Sequence, residues 1–136
     1  MAVVIINSQY QIKKLEMMTK YTKQTDPFIV PTTDGKLIEE HFGFSNENSD
    51  LSLAHMIAPP GWSEPFQTPE FDEYTYIISG KKQFTIDGDV IVLKAGESIK
   101  INKGVRVQYA NPYEEACEYI AICKPAFSID LANREG

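Results

Sequence analysis

From Phe28 onward the apolar residues fall at every second position in short runs, and glycine or proline interrupts nearly every run. Alternation of this kind turns one row of side chains toward a core and the other toward water, so the chain reads as a series of half-buried strands. Residues 28–30 and 36–42 flank the turn signal Asp34-Gly35 and form a first hairpin, and residues 45–50 are a polar loop. Leu51, Leu53, His55 and Ile57 then alternate with Ser52, Ala54, Met56 and Ala58 until Pro59-Pro60-Gly61 stops the strand. A run rich in β-branched and aromatic residues begins near Glu73 and ends at Gly80. Residues 82–86 and 89–93 follow, joined by Asp87-Gly88, a pair that favours a type I′ hairpin turn because both residues tolerate positive φ. Short strands at residues 98–101, from Val105 through Val107 to Tyr109, and at residues 117–123 complete the pattern before Lys124-Pro125. Many short strands with a turn residue at each corner predict an all-β barrel or double-sheet jelly roll.

The N-terminal segment has a different period. Residues 1–6 read as a strand. Ser8 with Gln11 makes a capping-box pair, and Ile12, Leu15 and Met18 follow at helical spacing, which predicts a short N-terminal helix with Met17 and Met18 as packing residues. The expected organisation is one domain: an arm of strand and helix over residues 1–27, a barrel over 28–125, and a tail over 126–136 that folds back on the barrel.

Composition narrows the function classes. With 136 residues the chain can bury roughly two-thirds of its unfolded surface in one core. Nineteen acidic residues against thirteen Lys and Arg give a net charge of −6, which opposes a phosphate backbone, so no nucleic-acid partner is expected. No apolar run approaches the ~20 residues of a membrane span, and the first residues lack the basic leader of an export signal. Cys117 and Cys123 lie about 20 Å apart along one strand at the usual rise, too far to bond to each other, and read as small buried hydrophobes in a reducing cytoplasm.

The residues from Leu51 to Pro125 resemble the cupin family. Gly61, Glu73 and Gly80 stand at the fixed points of the first cupin motif, with Gln67 and Pro69 where its two histidines would be. Gly96, Asn102, Gly104, Val107 and Asn111 follow the second motif, without its proline and with Val107 in place of the third histidine. The resemblance implies a double-stranded β-helix, that is, a jelly-roll barrel, and pairing of two copies through barrel edges. It selects no activity, because the family includes dioxygenases, isomerases, epimerases, lyases, storage proteins and sugar-binding regulatory domains.

Typical cupins hold a transition metal with three histidines and the glutamate, a donor set that leaves coordination positions open. Here the chain has two histidines, His41 and His55, neither at a motif position. The expectation is therefore no cofactor; the alternative is a divalent transition metal on His55, Gln67 and Glu73, which requires His55 to enter the barrel. By strand phase and the resemblance, Glu73, Thr75 and Ile77 face inward and Tyr74 and Tyr76 outward. The expected pocket combines Glu73, Gln67, Val107, Tyr109, His55 and Trp62, with Val107 as a dry wall. Trp62 either stacks on a sugar ring or seals the barrel end, and Tyr119 projects inward if its strand has the phase of the cysteines. Glu64, Glu70 and Asp72 read as a solvated acidic rim, and Arg106 is a cation that could reach Glu73. Three functions stay open: a metal-free barrel binding a small sugar-like or carboxylate molecule; an isomerase, epimerase or lyase with Glu73 as acid-base group; and a non-catalytic dimerising or regulatory module.

Overall fold

The computed structural model describes residues 20–136, so the expected N-terminal strand and helix lie outside the described residues. Among the described residues ten strands form two antiparallel sheets. β1 (Phe28–Ile29), β2 (Leu37–Phe42), β3 (Ser52–Ala58), β5 (Asp72–Ser79), β8 (Ser98–Ile101) and β10 (Cys117–Lys124) make a six-stranded sheet in the order β1-β2-β3-β10-β5-β8. β4 (Trp62–Ser63), β6 (Lys81–Ile86), β7 (Asp89–Lys94) and β9 (Gln108–Asn111) make a four-stranded sheet in the order β4-β9-β6-β7. The chain crosses between the sheets repeatedly, which is the double-stranded β-helix the sequence predicts.

The period-two pattern decides which rows meet between the sheets. Ile77 of β5 and Tyr119 of β10 face Phe84 of β6 and Tyr109 of β9, and all four are buried in one cluster with Trp62, Leu93, Ile101 and Val107. Phe84 meets Tyr109 edge to face with ring centroids 5.7 Å apart, the arrangement that aligns a ring's positive edge with its neighbour's negative face. The β6–β7 turn has φ of 51° at Asp87 and 79° at Gly88, as a type I′ turn requires.

The tail folds back. A cis Lys124–Pro125 bond redirects the chain, and α1 (Ile129–Ala132) follows, its first turn capped by Ser128, whose hydroxyl accepts from the Leu131 N–H at 3.1 Å. Ala132 is buried beside Phe71 and Cys123, and the Glu135 N–H donates to the Phe66 carbonyl. The loop after β2 is less plain than its polar residues imply, because Phe44–Asn46 forms a turn of 3-10 helix. Among the described residues no helix is long and apolar enough to cross a membrane.

Candidate functional site

A cavity of about 540 Å³ opens between the sheets, within the about 300–1,000 Å³ typical of small-molecule sites. Its apolar walls include Ile38 from β2, Met56 from β3, Phe71 ahead of β5, and Phe127 from the tail. Its polar groups are concentrated deeper. Lys36, Glu64, Gln67, Glu73, Lys82, Tyr109 and Tyr119 all line it, and only Glu73 among them is not fully buried.

Two ammonium groups here are withdrawn from solvent. Lys36, 8% exposed, pairs with Glu64 at 3.3 Å, and its Nζ sits 4.4 Å from the Trp62 ring centroid. Burial disfavours the charged form of Lys36, but Tyr119, Glu64 and Glu73 outweigh it and raise its pKa, so it stays an ammonium. Glu64 also receives Arg134 of the tail at 3.4 Å and the Gln67 amide at 3.4 Å. Lys82, only 2% exposed, stands in an aromatic box: its Nζ is 3.7 Å from the Tyr119 ring centroid, 4.8 Å from Tyr109 and 5.2 Å from Phe84. Among the described residues no carboxylate lies within ion-pair distance of it.

Glu73 faces the cavity as its strand phase predicts and accepts a weak hydrogen bond from the Cys123 thiol at 3.5 Å. Burial and the nearby Glu73 carboxylate push the Tyr109 phenol well above its ordinary pKa, and the same two causes raise Cys123. Neither side chain ionises in the neutral range. The Tyr109 and Tyr119 hydroxyls and the Gln67 Oε1 are buried without a hydrogen-bond partner among the described residues, and all three belong to cavity-lining side chains. A buried polar group without a partner costs about 1–3 kcal/mol.

The structure brings Gln67, Glu73 and Tyr109 together as expected and moves three other residues out. His55 points away from the barrel, because Ser52, Ala54 and Met56 occupy the inward row of β3. Its ring is clamped between Glu39 at 2.6 Å and Glu118 at 2.5 Å on the outer face. A set of His55, Gln67 and Glu73 therefore does not form. Val107 is fully buried but does not line the cavity; its N–H and carbonyl pair with Gln67 at 2.8 and 2.9 Å, so it fixes the amide's position. Trp62 is buried under Lys36, donates to Asp34 at 2.8 Å and does not line the cavity either. Tyr119 does project inward.

Two further expectations change. Glu64 is buried on the cavity wall, unlike an acidic rim residue, whereas Glu70 is exposed and Asp72 accepts from the Lys103 N–H. Arg106 pairs with Glu135 at 2.7 and 2.9 Å and covers Phe66. It is thus committed away from Glu73. Among the described residues no three His, Cys, Asp or Glu side chains are grouped to hold a metal ion. The donor set does not fit one, and the two buried ammonium groups would repel a divalent cation.

Sheets, cavity and polar floor together define a small jelly-roll barrel with a cavity between its sheets. A family model described as a cupin domain matches residues 54–123, half of the chain, and the chain belongs to the cupin family. An endoribonuclease YbeY of Myxococcus xanthus is 43% identical over 108 residues, which cover 79% of this chain. The match spans only 37% of that relative's own length. Among solved structures, an RmlC-like cupin from Shewanella frigidimarina superposes with a TM-score of 0.65 at 18% identity, covering 79% of this chain and 92% of that one. The polyketide cyclase RemF from Streptomyces resistomycificus gives 0.63 at 16% identity, covering 85% and 90%. Likeness at such identities shows the fold.

Proposed function

We propose that this protein binds a small polar molecule inside the barrel without a metal ion. The observation that carries this reading is the lining: buried Lys36, Lys82, Glu64 and Gln67 border open space, and the Gln67 Oε1 and the Tyr109 and Tyr119 hydroxyls beside them lack partners among the described residues. A barrel built only for stability would fill such a space with apolar side chains, since buried charge is seldom more stabilising than well-packed hydrocarbon. Thermal melting against a panel of sugars, hydroxy acids and carboxylic acids tests it. A ligand at 100 times its Kd stabilises the fold by about 2.7 kcal/mol and raises Tm by several degrees. If no compound shifts Tm, and native mass spectra of protein purified from cells show only the bare chain, the reading fails.

A second reading treats the same site as an isomerase, epimerase or lyase with Glu73 as the acid-base group. Its support is a cavity-facing carboxylate beside the Tyr109 phenol, which pairs a proton carrier with a donor for a developing oxyanion. Deuterium entering a bound ligand at carbon in D2O, and its loss in Glu73→Gln, would support it; no exchange with any ligand found removes it. Pairing of two copies through barrel edges, in a non-catalytic dimerising module, is a separate reading implied by the family resemblance, and light scattering that shows a monomer at micromolar concentration would eliminate that pairing.

A further inference from the structure

We infer that the barrel's ligand is an amphipathic monocarboxylate, its carboxylate held by Lys82 and its apolar body lying toward the mouth, an assignment that rests on the ligand-binding reading above. Charge pairing is the first argument. Among the described residues six charged side chains line the cavity. Glu40 belongs to the mouth, where its carboxylate accepts from the Ser45 hydroxyl at 2.9 Å and from the Ser45 N–H. Of the others, Lys36, Lys82 and Glu64 are buried and Glu73 is half-buried, while Arg134, its side chain 38% exposed, reaches Glu64 from the surface. Lys36 and Arg134 share Glu64, whereas Lys82 has no carboxylate at ion-pair distance among the described residues.

The aromatic box compensates only part of what burial costs. A desolvated cation–π contact returns less than withdrawing an ion from water costs. An anion arriving beside Lys82 gains the remainder, and that gain selects a carboxylate over a neutral sugar. The Tyr109 and Tyr119 hydroxyls, both unpartnered and belonging to the rings that box Lys82, supply further donors for carboxylate oxygens. The open Gln67 Oε1 is an acceptor, which suits a ligand carrying a hydroxyl or amide near its acid group.

The mouth argues for the apolar half. Phe28 of β1, Phe44 of the 3-10 turn and Ile129 of α1 come from three separate elements, all line the same opening, and each is more than half exposed. Behind them Ile38, Met56, Phe71 and Phe127 continue the apolar wall inward. A compact, fully hydroxylated molecule would leave that wall wet. An aryl or alkyl chain covers it.

The test is isothermal titration calorimetry of the full chain with phenylacetate, 3-phenyllactate and octanoate, each beside its primary amide. At least one acid is expected to bind more than about tenfold tighter than its amide. In Lys82→Met the acid's affinity should fall on the order of ten- to a hundredfold while the amide's changes by less than about threefold. Replacing a buried ammonium by a hydrocarbon of similar length is commonly neutral or stabilising, so this variant is expected to fold. Should it not fold, the acid-against-amide comparison on the unaltered protein decides alone. Equal affinity of acid and amide, or undiminished acid binding in Lys82→Met, overturns the assignment. Binding of sugars with none of these acids overturns it too and leaves ligand binding intact, whereas no binding by acids, amides or sugars refutes the underlying reading.

Discussion

Gly80 sits between β5 and β6 with φ of +77°, and a Cβ there would press into the Ala116 carbonyl and the Cys117 backbone. Both the left-handed backbone and the close approach of another strand demand glycine, which is the physical content of that fixed point in the first cupin motif. Gly80→Ala should therefore lower stability by on the order of 2–4 kcal/mol, read as a fall in the urea midpoint with an unchanged slope. At this scale part of the site is legible from the chain alone. Glu73 and Tyr109 follow from strand phase, and Gln67 from motif spacing. Lys82 was just as accessible: it shares a row with Phe84 and Ile86, and an ammonium in an otherwise apolar row signals either a surface end or a buried charge with a purpose. Lys36, in the row of Ile38, carries the same signal. Glu64 carries none, because β4 is only two residues long and no period extends through it.

At the scale of elements, His55 joins three neighbouring strands by holding Glu39 of β2 and Glu118 of β10 from β3. Burial lowers its pKa somewhat, but the two carboxylates outweigh it and raise the value above the ordinary 6.5. The folded chain thus holds the His55 proton more tightly than the unfolded chain. The stabilisation is complete below about pH 6.5 and disappears as pH rises through the higher folded-state value. Melting curves of the wild type and His55→Gln from about pH 5 to about pH 9 should show a gap of about 1 kcal/mol or less per pair at the acid end, closing toward the alkaline end. A gap that widens with pH would contradict the assignment. The sequence displayed β3 itself clearly but left the direction of His55 open, since both its rows mix polar and apolar residues. Pairing with β2 and β10 resolves it by supplying an acid on each side.

For the whole molecule, the barrel's two sheets and their turns follow from local alternation, whereas the cavity depends on contacts distant in sequence. Arg134 reaches Glu64 and Lys36 reaches the same carboxylate from the first hairpin, pairings that no local pattern announces. The arrangement of those charges predicts indifference to chelators: melting with and without about 1 mM EDTA should give the same Tm within a degree, because no donor cluster among the described residues ties stability to an ion. A drop of several degrees, with a stoichiometric transition metal in elemental analysis, would contradict this. One feature of the hairpin wall reaches beyond stability. Trp62 is the chain's sole indole, and the Lys36 ammonium over its ring also borders the cavity. On the proposed reading, a guest that displaced this ammonium would change Trp62 emission, an intrinsic optical readout that needs neither label nor assay substrate.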